Sequence, residues 1–539
     1  MMERRSKIFY IALIMAFTGL VFRTFWLSMG ENSAQAKTVM SKREARVVLY
    51  RTKGLIYDEE LTPIAGNQPC YYWLVNPRDF QAENLDLLVG CTGADRDALK
   101  EKLKKETPFV LQSKSEAIAL PGVYVFDGLD RYSGIAKHLL GYLDGAGEVG
   151  LAGVEKEYND YLNLFSSSVY ATYSANAVRG VMAGLGVQSS ATEASENGLV
   201  LTLNAELCRA LEESMSRHIT AGAAIVMDRK TGAIKATTSR PDYDEKNISA
   251  YLESTGGELI NRAFSAQTVG SVFKIIVAAC ALEAGLEEFT YTCNGGIVIG
   301  DLTFACHNHA GHGAVGLQEA FAQSCNSYFI AAGQLLGYDR IAEMSKRFGY
   351  GTSVPILESM TASAGNFPEK SSNMALANLS IGQGDLLASP LQVARMTAVI
   401  ANGGVLPTVT LYKGLYLNGK LKTEEEPKEG TQILSTEIAE KLRQYCIYTV
   451  EEGTGQAAKP TEGSAGGKTA SAQTGVMENG EEKLNVYFTG FYPAEDPQYV
   501  ITIFAEDGDS GGKTCGPVFR EICDFIGENG LTEGKTMVY

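Results

Sequence analysis

A serine and a lysine three residues apart precede a strongly apolar segment near the middle of the chain. Ser271-Val272-Phe273-Lys274 is followed by IIVAACALEAG, which predicts a buried helix with Ser271 and Lys274 one turn apart on one face. A serine at a helix N-terminus lies beside free N–H groups, and burial favours the neutral form of a lysine. The pair therefore predicts a nucleophile, Ser271, with an adjacent base, Lys274.

Two further polar motifs follow in the sequence. Ser324-Cys325-Asn326 lies between the apolar runs VGLQEAFAQ and SYFIAAGQLLG, so it marks a break between helices where side chains can face a cleft. The segment from Lys468 through Thr469 and Ala470 to Ser471 follows the glycine-rich EGSAGG and precedes the strand-like VYFTGF. This context predicts a lysine on an edge strand whose backbone a ligand can approach.

Similar motifs elsewhere lack this context. A second S-x-x-K, from Ser510 to Lys513, lies in a glycine-rich stretch that we interpret as a loop. A literal K-T-G at Lys230-Thr231-Gly232 lies at the tip of a predicted hairpin, and we interpret it as a turn.

Two domains are expected to position these motifs. Residues 37–197 mix short strand and helix patterns and end in the small, polar segment 182–198, a predicted loop or linker. From 198 to the end, we predict strands near both ends with a helical block between them, typical of one α/β or α+β domain. The individual elements are a helix over 205–219, a hairpin over 223–239, helices filling 271–402, strands at 486–491 and 499–504, and a helix over 517–526.

The first thirty residues differ from the rest. Basic residues precede an apolar run from Ile8 to Met29, which is 22 residues long and interrupted only by Arg23. As a helix it would measure about 33 Å at ~1.5 Å per residue, enough to cross a bilayer with its basic start in the cytoplasm. The alternative is a signal peptide cleaved after the A-x-A match at Ala34–Ala36. Both interpretations place the rest of the chain outside the cytoplasm.

Composition excludes several classes of protein. The 539 residues are 45% hydrophobic and 20% charged, which is typical of globular domains and not of disordered chains. The formal net charge of -16 argues against nucleic acid as a partner, because there is no basic excess for phosphate contacts. Ten cysteines are too few for a disulfide scaffold of this length.

The ordered motifs resemble those of class B penicillin-binding proteins. S-x-x-K, S-x-N and a K-T-G-like strand occur in the order in which these proteins carry them. Further similar segments are RTKGLIYD at 51–58, HLLGY at 138–142, GLAGVEKEYNDYL at 150–162, IGQG at 381–384, NGG at 402–404 and GPVF at 516–519. The resemblance covers nearly the whole chain. It implies a membrane anchor at 1–36, an elongated mixed pedestal at 37–197, and a transpeptidase domain at 198–539. That domain would have a mostly antiparallel five-stranded sheet flanked by helices and an all-helical subdomain.

The chain also departs from the family pattern. Val269 and Val272 replace the usual proline and threonine around the nucleophile, and Cys325 stands where the signature has aspartate. Ala470 replaces the glycine of K-T-G. A methyl group directed into the cleft would crowd a β-lactam, whereas one directed away would only pack beneath the strand. We expect an active enzyme with weakened penicillin reactivity. The Ala470→Gly substitution should raise the rate of acylation by a few-fold to roughly tenfold.

The resemblance implies a two-step acyl transfer on peptidoglycan. Ser271 would attack a D-Ala-D-Ala stem peptide, or a β-lactam, with Lys274 as base and Ser324 relaying protons. Asn326 would hold Lys274 and the substrate amide. Lys468, Thr469 and Ser471 would bind the terminal carboxylate beside Ala470, with the N–H groups of Ser271 and Ser471 as the oxyanion hole. No cofactor is required, and a membrane glycosyltransferase is expected as a partner by analogy.

Two other functions remain open at this stage. The same motifs serve β-lactamases and β-lactam sensors, although the pedestal and amino-terminal anchor weigh against them. A catalytically silent scaffold is suggested only by Ala470. A stable fluorescent penicillin adduct would indicate a transpeptidase, turnover a β-lactamase, and no adduct a scaffold.

The cysteines and histidines give two further expectations. Cys325 and Cys306 could form a disulfide that distorts the Ser324–Asn326 cleft; the alternative is two small buried thiols. His307, His309 and His312 cluster in what we interpret as a loop and not as a metal site, because no paired ligand group appears elsewhere at fixed spacing.

Overall fold

The computed structural model describes residues 2–28, 44–115, 120–132, 134–174, 181, 187–190, 195–422, 429–478 and 480–532. Its packing divides the chain into two compact units. The smaller comprises Met1–Lys53, Asn67–Arg131 and Ser166–Ser195, and the larger comprises Gly54–Gly66, Tyr132–Phe165 and Glu196–Tyr539. The segments 54–66 and 132–165, which sequence assigned to the pedestal, thus pack with the larger unit. The domain boundaries given above stay a prediction.

The amino-terminal segment is a long helix, Met2–Ser28. Its Ser6–Trp26 part has a mean hydropathy of 1.9, and none of it is buried by the rest of the chain. Its length and composition suffice to cross a membrane. The apolar helix is therefore confirmed, while retention as an anchor stays a prediction. The Ala34–Ala36 cleavage signal lies outside the described residues.

Two three-stranded antiparallel sheets build the rest of the smaller unit. The first contains Glu44–Thr52, Ser167–Ser174 and Val187–Ser190, in that order. The second contains Phe109–Ser113, Gln68–Val75 and Val123–Asp130, and its core includes apolar side chains of the helices Leu85–Thr92 and Arg96–Lys104. The strand Val187–Ser190 falls within the segment predicted as a loop. That prediction is wrong here, because backbone pairing with Tyr170–Tyr173 needs no large apolar side chains.

A five-stranded antiparallel sheet, the central sheet, forms the middle of the larger unit. Its strands are ordered Ile234–Arg240, Gly222–Asp228, Tyr499–Ala505, Glu481–Tyr492 and Gly466–Glu478. Successive side chains Ala223 to Met227 all have zero exposure. Because neighbouring side chains point to opposite faces, both faces must be covered. This confirms the predicted fold class and sheet, and Gly466–Glu478 is its edge strand.

Helices cover this sheet and form the block beside it. The helix Lys274–Glu283, here the nucleophile helix, is buried over Lys274–Ala281 because nearly all of its side chains are apolar. The predicted helices near 205–219 and 517–526 are present as Ala205–His218 and Gly516–Glu528. The other α-helices of the larger unit are Lys137–Leu140, Gly153–Glu157, Asn159–Asn163, Leu317–Ala322, Asn326–Leu336, Tyr338–Arg347, Asn373–Ser380, Pro390–Ala401 and Thr436–Glu451.

The block between 271 and 402 is not all-helical as predicted. Tyr291–Cys293 pairs with Gly313–Val315, and Gly296–Ile299 pairs with Leu302–Ala305. Glycines with positive φ turn the chain between these strands, so short runs such as GIVI form ladders instead of a helix. Smaller pairs are Gln267–Thr268 with Leu387–Ala388, Val354–Pro355 with Thr361–Ala362, and Val405–Leu406 with Thr431–Gln432.

A second five-stranded sheet completes the larger unit. Its order is Lys420–Lys422, Tyr412–Leu417, Gly198–Leu201, Leu55–Tyr57 and Pro63–Ala65. Leu55–Tyr57 runs parallel to Gly198–Val200, and the other pairs are antiparallel. Its central strand, Gly198–Leu201, is buried throughout and leads directly into the helix Ala205–His218.

Candidate active site

A tight turn places Ser271 at the start of the nucleophile helix. Gly270 has a φ of 65°, and its N–H donates to the carbonyl of Gly382 at 2.9 Å. A 3₁₀ turn, Gly270–Phe273, follows and runs into the helix at Lys274. A Cβ atom on Gly270 would lie 2.9 Å from the Cβ of Ala472, so this position needs glycine for both its conformation and its packing. Ser271 itself is half-buried.

Lys274 is fully buried and lies one turn after Ser271. Its backbone N–H donates to the Ser271 carbonyl. Its Nζ donates to the carbonyl oxygen of Ser324 at 2.7 Å, to Asn326 Oδ1 at 2.7 Å and to Ser324 Oγ at 3.2 Å. Burial lowers the pKa of Lys274 to about 7, which makes the neutral amine accessible near physiological pH.

Ser324 and Asn326 present these acceptors from a turn between two helices. Ser324 has a φ of 54°, in the left-handed region that residues with a Cβ atom seldom adopt. Asn326 begins the helix Asn326–Leu336, and its Nδ2 donates to the Ala305 carbonyl at 3.2 Å. The predicted helix break therefore holds two polar side chains against Lys274. Strained backbone of this kind concentrates at functional sites.

Lys274 Nζ donates its hydrogen bonds to Ser324 and Asn326 and not to the Ser271 hydroxyl. Within the described residues, that hydroxyl makes no hydrogen bond with a side chain or carbonyl. Hydrogen bonds between catalytic groups are often long before substrate binds, so this arrangement is compatible with a base and a nucleophile.

The edge strand contributes a second buried lysine. Lys468 has zero exposure, its Nζ donates to the Thr469 carbonyl at 3.1 Å, and it lies 5.6 Å from the Phe321 ring centre. Burial, together with the charge of Lys274, holds the pKa of Lys468 well below its usual range. The hydroxyl groups of Thr469 and Thr454 lie 2.7 Å apart. Ser471, two residues along the strand, is half-buried.

The methyl group of Ala470 is directed beneath the edge strand. Ala470 is only 2% exposed, and a Cβ on Gly270 would lie 3.3 Å from its Cβ. Of the two orientations that the sequence allowed, this is the one in which the methyl group points away from the cleft. The steric basis expected for weakened penicillin reactivity is therefore absent.

The two remaining motifs have structural roles. The tip at Lys230 and Thr231 is a hairpin turn in which both backbone N–H groups donate to Asp228 Oδ1, as its interpretation as a turn requires. The segment after Ser510 is helical and not the predicted loop. The Ser510 Oγ accepts the Lys513 N–H at 3.3 Å and caps the π-helical turn Gly511–Cys515, which continues into Gly516–Glu528.

A cluster of thiols beside Ser324 was missed by the sequence analysis. All ten cysteines are free, so the suggested Cys306–Cys325 disulfide is not formed. Instead the ligand atoms of four residues lie within 4.8 Å of one another, those of Cys293, Cys306, His312 and Cys325. Counting cysteines together with histidines gives the spacing C-x₁₂-C-x₅-H-x₁₂-C, a signal that the analysis of histidines alone overlooked.

Comparison with known proteins adds an independent result. Residues 222–524 match the family model of the penicillin binding protein transpeptidase domain, a span that contains Ser271, Ser324 and Lys468. The chain is 28% identical to stage V sporulation protein D of Bacillus subtilis over 468 residues, covering 81% of this chain and 70% of that protein. It is 24% identical to the peptidoglycan D,D-transpeptidase MrdA of Haemophilus influenzae, covering 97% and 91%.

A solved structure shares the fold. A complex between penicillin-binding protein PBP2 and MreC from Helicobacter pylori matches with a TM-score of 0.63 and 22% identity, covering 91% of this chain and 99% of that one. The family match spans more than half of the chain and includes all three motifs. The chain therefore belongs to the class B penicillin-binding proteins.

Proposed function

We propose that this protein cross-links peptidoglycan as a serine D,D-transpeptidase, with Ser271 as the acylated residue. The observation that carries this proposal is the buried amine of Lys274, one turn from Ser271 and held by Ser324 and Asn326. A lysine with a pKa of about 7 can accept a proton at neutral pH. The related MrdA of Haemophilus influenzae is named a peptidoglycan D,D-transpeptidase, which supports this reaction over other acyl transfers.

In the first step, a stem peptide ending in D-Ala-D-Ala acylates the enzyme. Neutral Lys274 takes the hydroxyl proton as Ser271 Oγ attacks the carbonyl carbon of the penultimate D-Ala. The oxygen becomes an oxyanion, which the N–H groups of Ser271 and Ser471 stabilise. Losing one such donor typically costs about 3–4 kcal/mol of barrier. The C–N bond then breaks, and the terminal D-Ala leaves as an amine after receiving a proton through Ser324.

In the second step, an amine from a neighbouring stem replaces D-Ala. The amine attacks the ester carbonyl of acylated Ser271 and loses a proton to the Ser324–Lys274 pair. The Ser271 oxygen leaves and recovers a proton, so a new amide cross-link forms without net change in the enzyme. No external energy source is needed, because one amide bond is exchanged for another.

The edge strand would recognise the substrate's terminal carboxylate. Lys468 and Lys274 are both fully buried, so a bound carboxylate would stabilise the charged forms that burial disfavours. Thr469 and Ser471 would supply hydroxyl groups and Asn326 would bind the substrate amide through its side chain. The same contacts would hold the carboxylate of a β-lactam. Its ring C–N bond would break as Ser271 is acylated, and the amine would stay attached to the acyl group instead of leaving.

The helix Met2–Ser28 would anchor the protein in the membrane. Basic residues precede its apolar part, which favours a cytoplasmic amino terminus and a single crossing with the rest of the chain outside. In this position the enzyme would meet its peptidoglycan substrate, with a membrane glycosyltransferase as its expected partner by analogy with the family. The Helicobacter pylori relative was solved together with MreC, so a protein partner of that kind is a second candidate.

Labelling with a fluorescent penicillin tests the proposal. Full-length protein in detergent should form a stable covalent adduct that maps to Ser271, and Ser271→Ala should abolish it. Ser510→Ala is the matched control from the second S-x-x-K segment and should keep the adduct. Rapid hydrolysis of the penicillin would indicate a β-lactamase instead, and an adduct that survives Ser271→Ala would overturn the assignment of the nucleophile.

A further inference from the structure

A threonine outside the sequence motifs joins the two walls of the candidate active site. Thr454 lies in the loop 452–455, here called the bridging loop, and is half-buried. Its Oγ1 lies 2.7 Å from the Oγ1 of Thr469 on the edge strand and 3.2 Å from the carbonyl oxygen of Ala322. Ala322 is the last residue of its helix and lies two residues before Ser324. The Thr454 side chain therefore connects the edge strand with the helix that leads to the Ser324 turn.

Backbone contacts hold the bridging loop against this helix. The Thr454 N–H also donates to the Ala322 carbonyl, at 3.1 Å, and Gln323 Nε2 donates to the Glu452 carbonyl at 3.2 Å. A Cβ atom on Gly453 would lie 2.5 Å from the Ala322 oxygen, so glycine at this position permits the close approach. The loop is thus built to place Thr454 between helix and strand.

The side chain of Thr469 is enclosed and depends on this contact. Thr469 is only 7% exposed. A Cβ atom on Gly512 would lie 3.8 Å from Thr469 Cγ2 and 2.8 Å from the Thr454 carbonyl oxygen, so Gly512 packs beside both threonines. Among the residues that the structure describes, Thr454 is the one hydrogen-bond partner of the Thr469 hydroxyl. The position of a hydroxyl expected to bind a carboxylate is therefore set by Thr454.

Two protons are shared among three oxygens here. Each hydroxyl has one proton, and the Ala322 carbonyl can only accept. Before a ligand binds, Thr454 can donate to Ala322 while Thr469 donates to Thr454. When a carboxylate arrives, Thr454 can donate to Thr469, and Thr469 to the carboxylate. The Ala322 oxygen keeps the Thr454 N–H at 3.1 Å, so this reversal leaves no buried acceptor without a donor.

We propose that Thr454 is a positioning residue for recognition of the substrate's terminal carboxylate, acting through Thr469. It fixes the Thr469 hydroxyl at the cleft, and by donating to the Thr469 oxygen it leaves the Thr469 proton for the carboxylate. Hydrogen bonds to a charged acceptor are strong, and donors in a chain polarise one another. Thr454 does not touch the substrate, and its role rests on the carboxylate site proposed above.

The role of Thr454 depends on the charge of the ligand. A carboxylate carries a negative charge and only accepts hydrogen bonds, so it selects the reversed chain of donors. A methyl ester is neutral and gains little from a second donor behind Thr469. Loss of the Thr454 hydroxyl should therefore weaken binding of the acid more than binding of the ester, whereas a merely structural role would affect both alike.

Acylation by a penicillin and by its methyl ester measures this selectivity. In each variant of the full-length protein in detergent, the ratio of the two acylation efficiencies does not depend on the folded fraction. Thr454→Val removes the hydroxyl but keeps the shape, and it should lower the ratio of acid to ester at least about fivefold. The loss should lie in the binding constant of the acid and not in the maximal rate. Thr454→Ser keeps the hydroxyl and should stay within about twofold of wild type.

Thr502→Val is the matched control. The hydroxyl groups of Thr502 and Thr489 also lie 2.7 Å apart, but both residues are fully buried in the central sheet, and Thr502 lies two strands away from the edge strand. This variant loses a similar hydroxyl pair and should keep the wild-type ratio. An unchanged ratio in Thr454→Val, or an equal loss for acid and ester, would overturn the role of Thr454.

A binding measurement separates this role from the proposed reaction. In Ser271→Ala protein, non-covalent binding of the same penicillin and its ester, followed by ligand-observed NMR, does not depend on the nucleophile. Adding Thr454→Val should reduce the preference for the acid at least about fivefold there too. A preference that depends on Thr454 in a protein whose wild type is not acylated would overturn the reaction alone. The absence of any preference for the acid would overturn both proposals.

Discussion

The methyl group of Ala470 lies against the backbone of Gly270, the residue before the proposed nucleophile. A methyl added to Gly270 would come within 3.3 Å of the Ala470 Cβ, and Ala470 is only 2% exposed. The departure from the K-T-G pattern is therefore accommodated by packing beneath the edge strand. A glycine at 270 and an alanine at 470 together fill the space between the strand and the turn that presents Ser271.

This packing reverses the effect expected for Ala470→Gly. Because the methyl does not face the ligand, the acylation rate should stay within about twofold of wild type, equivalent to roughly 0.4 kcal/mol of barrier. The free energy of unfolding should fall by about 0.5–1 kcal/mol, since glycine in a strand loses more chain entropy. Stopped-flow acylation with a chromogenic cephalosporin measures the rate. A gain of about tenfold would show that the methyl does obstruct the cleft.

Gly270→Ala should be far more harmful. The new Cβ would lie 2.9 Å from the Ala472 Cβ, and alanine at a φ of 65° costs about 1–2 kcal/mol on its own. The turn must shift, so we expect acylation to slow by at least about tenfold. Gly300→Ala is the matched control, because Gly300 has a φ of 62° with open space around its Cβ position. Equal acylation rates for the two variants would show that the added methyl at Gly270 does not displace Ser271.

The pKa of Lys274 predicts how acylation depends on pH. The neutral amine is the base, so the rate should rise with pH and level off above the pKa of about 7. Two pH units below this value, the rate should be roughly a hundredfold lower. Burial is the largest cause of the lowered pKa, and the facing thiols Cys306 and Cys325 oppose it. Acylation measured across pH 5 to 9 checks the profile. A flat profile would exclude Lys274 as the titrating base.

The sequence predicted the parts of the site that depend on local spacing. Ser271 and Lys274 lie one turn apart because both belong to one helical segment, and Lys468 lies on an edge strand because glycines precede it and a partner strand follows. The direction of the Ala470 side chain could not be predicted, since alternation along a strand does not reveal which face meets the cleft. The apolar runs also located strands of the central sheet to within a few residues, whereas the five-stranded sheet itself was implied by the family resemblance.

The thiol cluster could not be predicted in the same way. Its ligands come from separate loops and hairpins, and their meeting depends on turns at Gly295 and Gly311 that no apolar periodicity marks. The same turns divide a segment that seemed helical from its composition. Long-range assembly of this kind is determined by tertiary packing and not by local propensity.

A half-buried carboxylate far from these motifs gives a prediction about stability. Glu212, on the helix Ala205–His218, accepts a hydrogen bond from Thr238 Oγ1 at 2.6 Å. Burial, with a smaller contribution from Asp242, raises its pKa to about 7, against the opposing effects of the hydrogen bond from Thr238 and the charges of Lys137 and Arg240. A carboxyl group with a raised pKa contributes most stability below its unfolded pKa and loses it as pH increases.

Glu212→Gln should therefore stabilise the protein at high pH. The amide keeps an oxygen that can accept the bond from Thr238, but it carries no charge to desolvate. Relative to wild type, we expect a gain of about 1–3 kcal/mol at pH 8 that vanishes near pH 4.5, with most of the change as pH rises towards and through 7. Thermal unfolding at several pH values measures the difference. Glu213→Gln is the matched control: its exposed carboxylate pairs with Arg217 at 2.6 Å, so its effect on stability should be small. A Glu212→Gln variant that is no more stable than wild type at pH 8 would show that Glu212 ionises there without penalty.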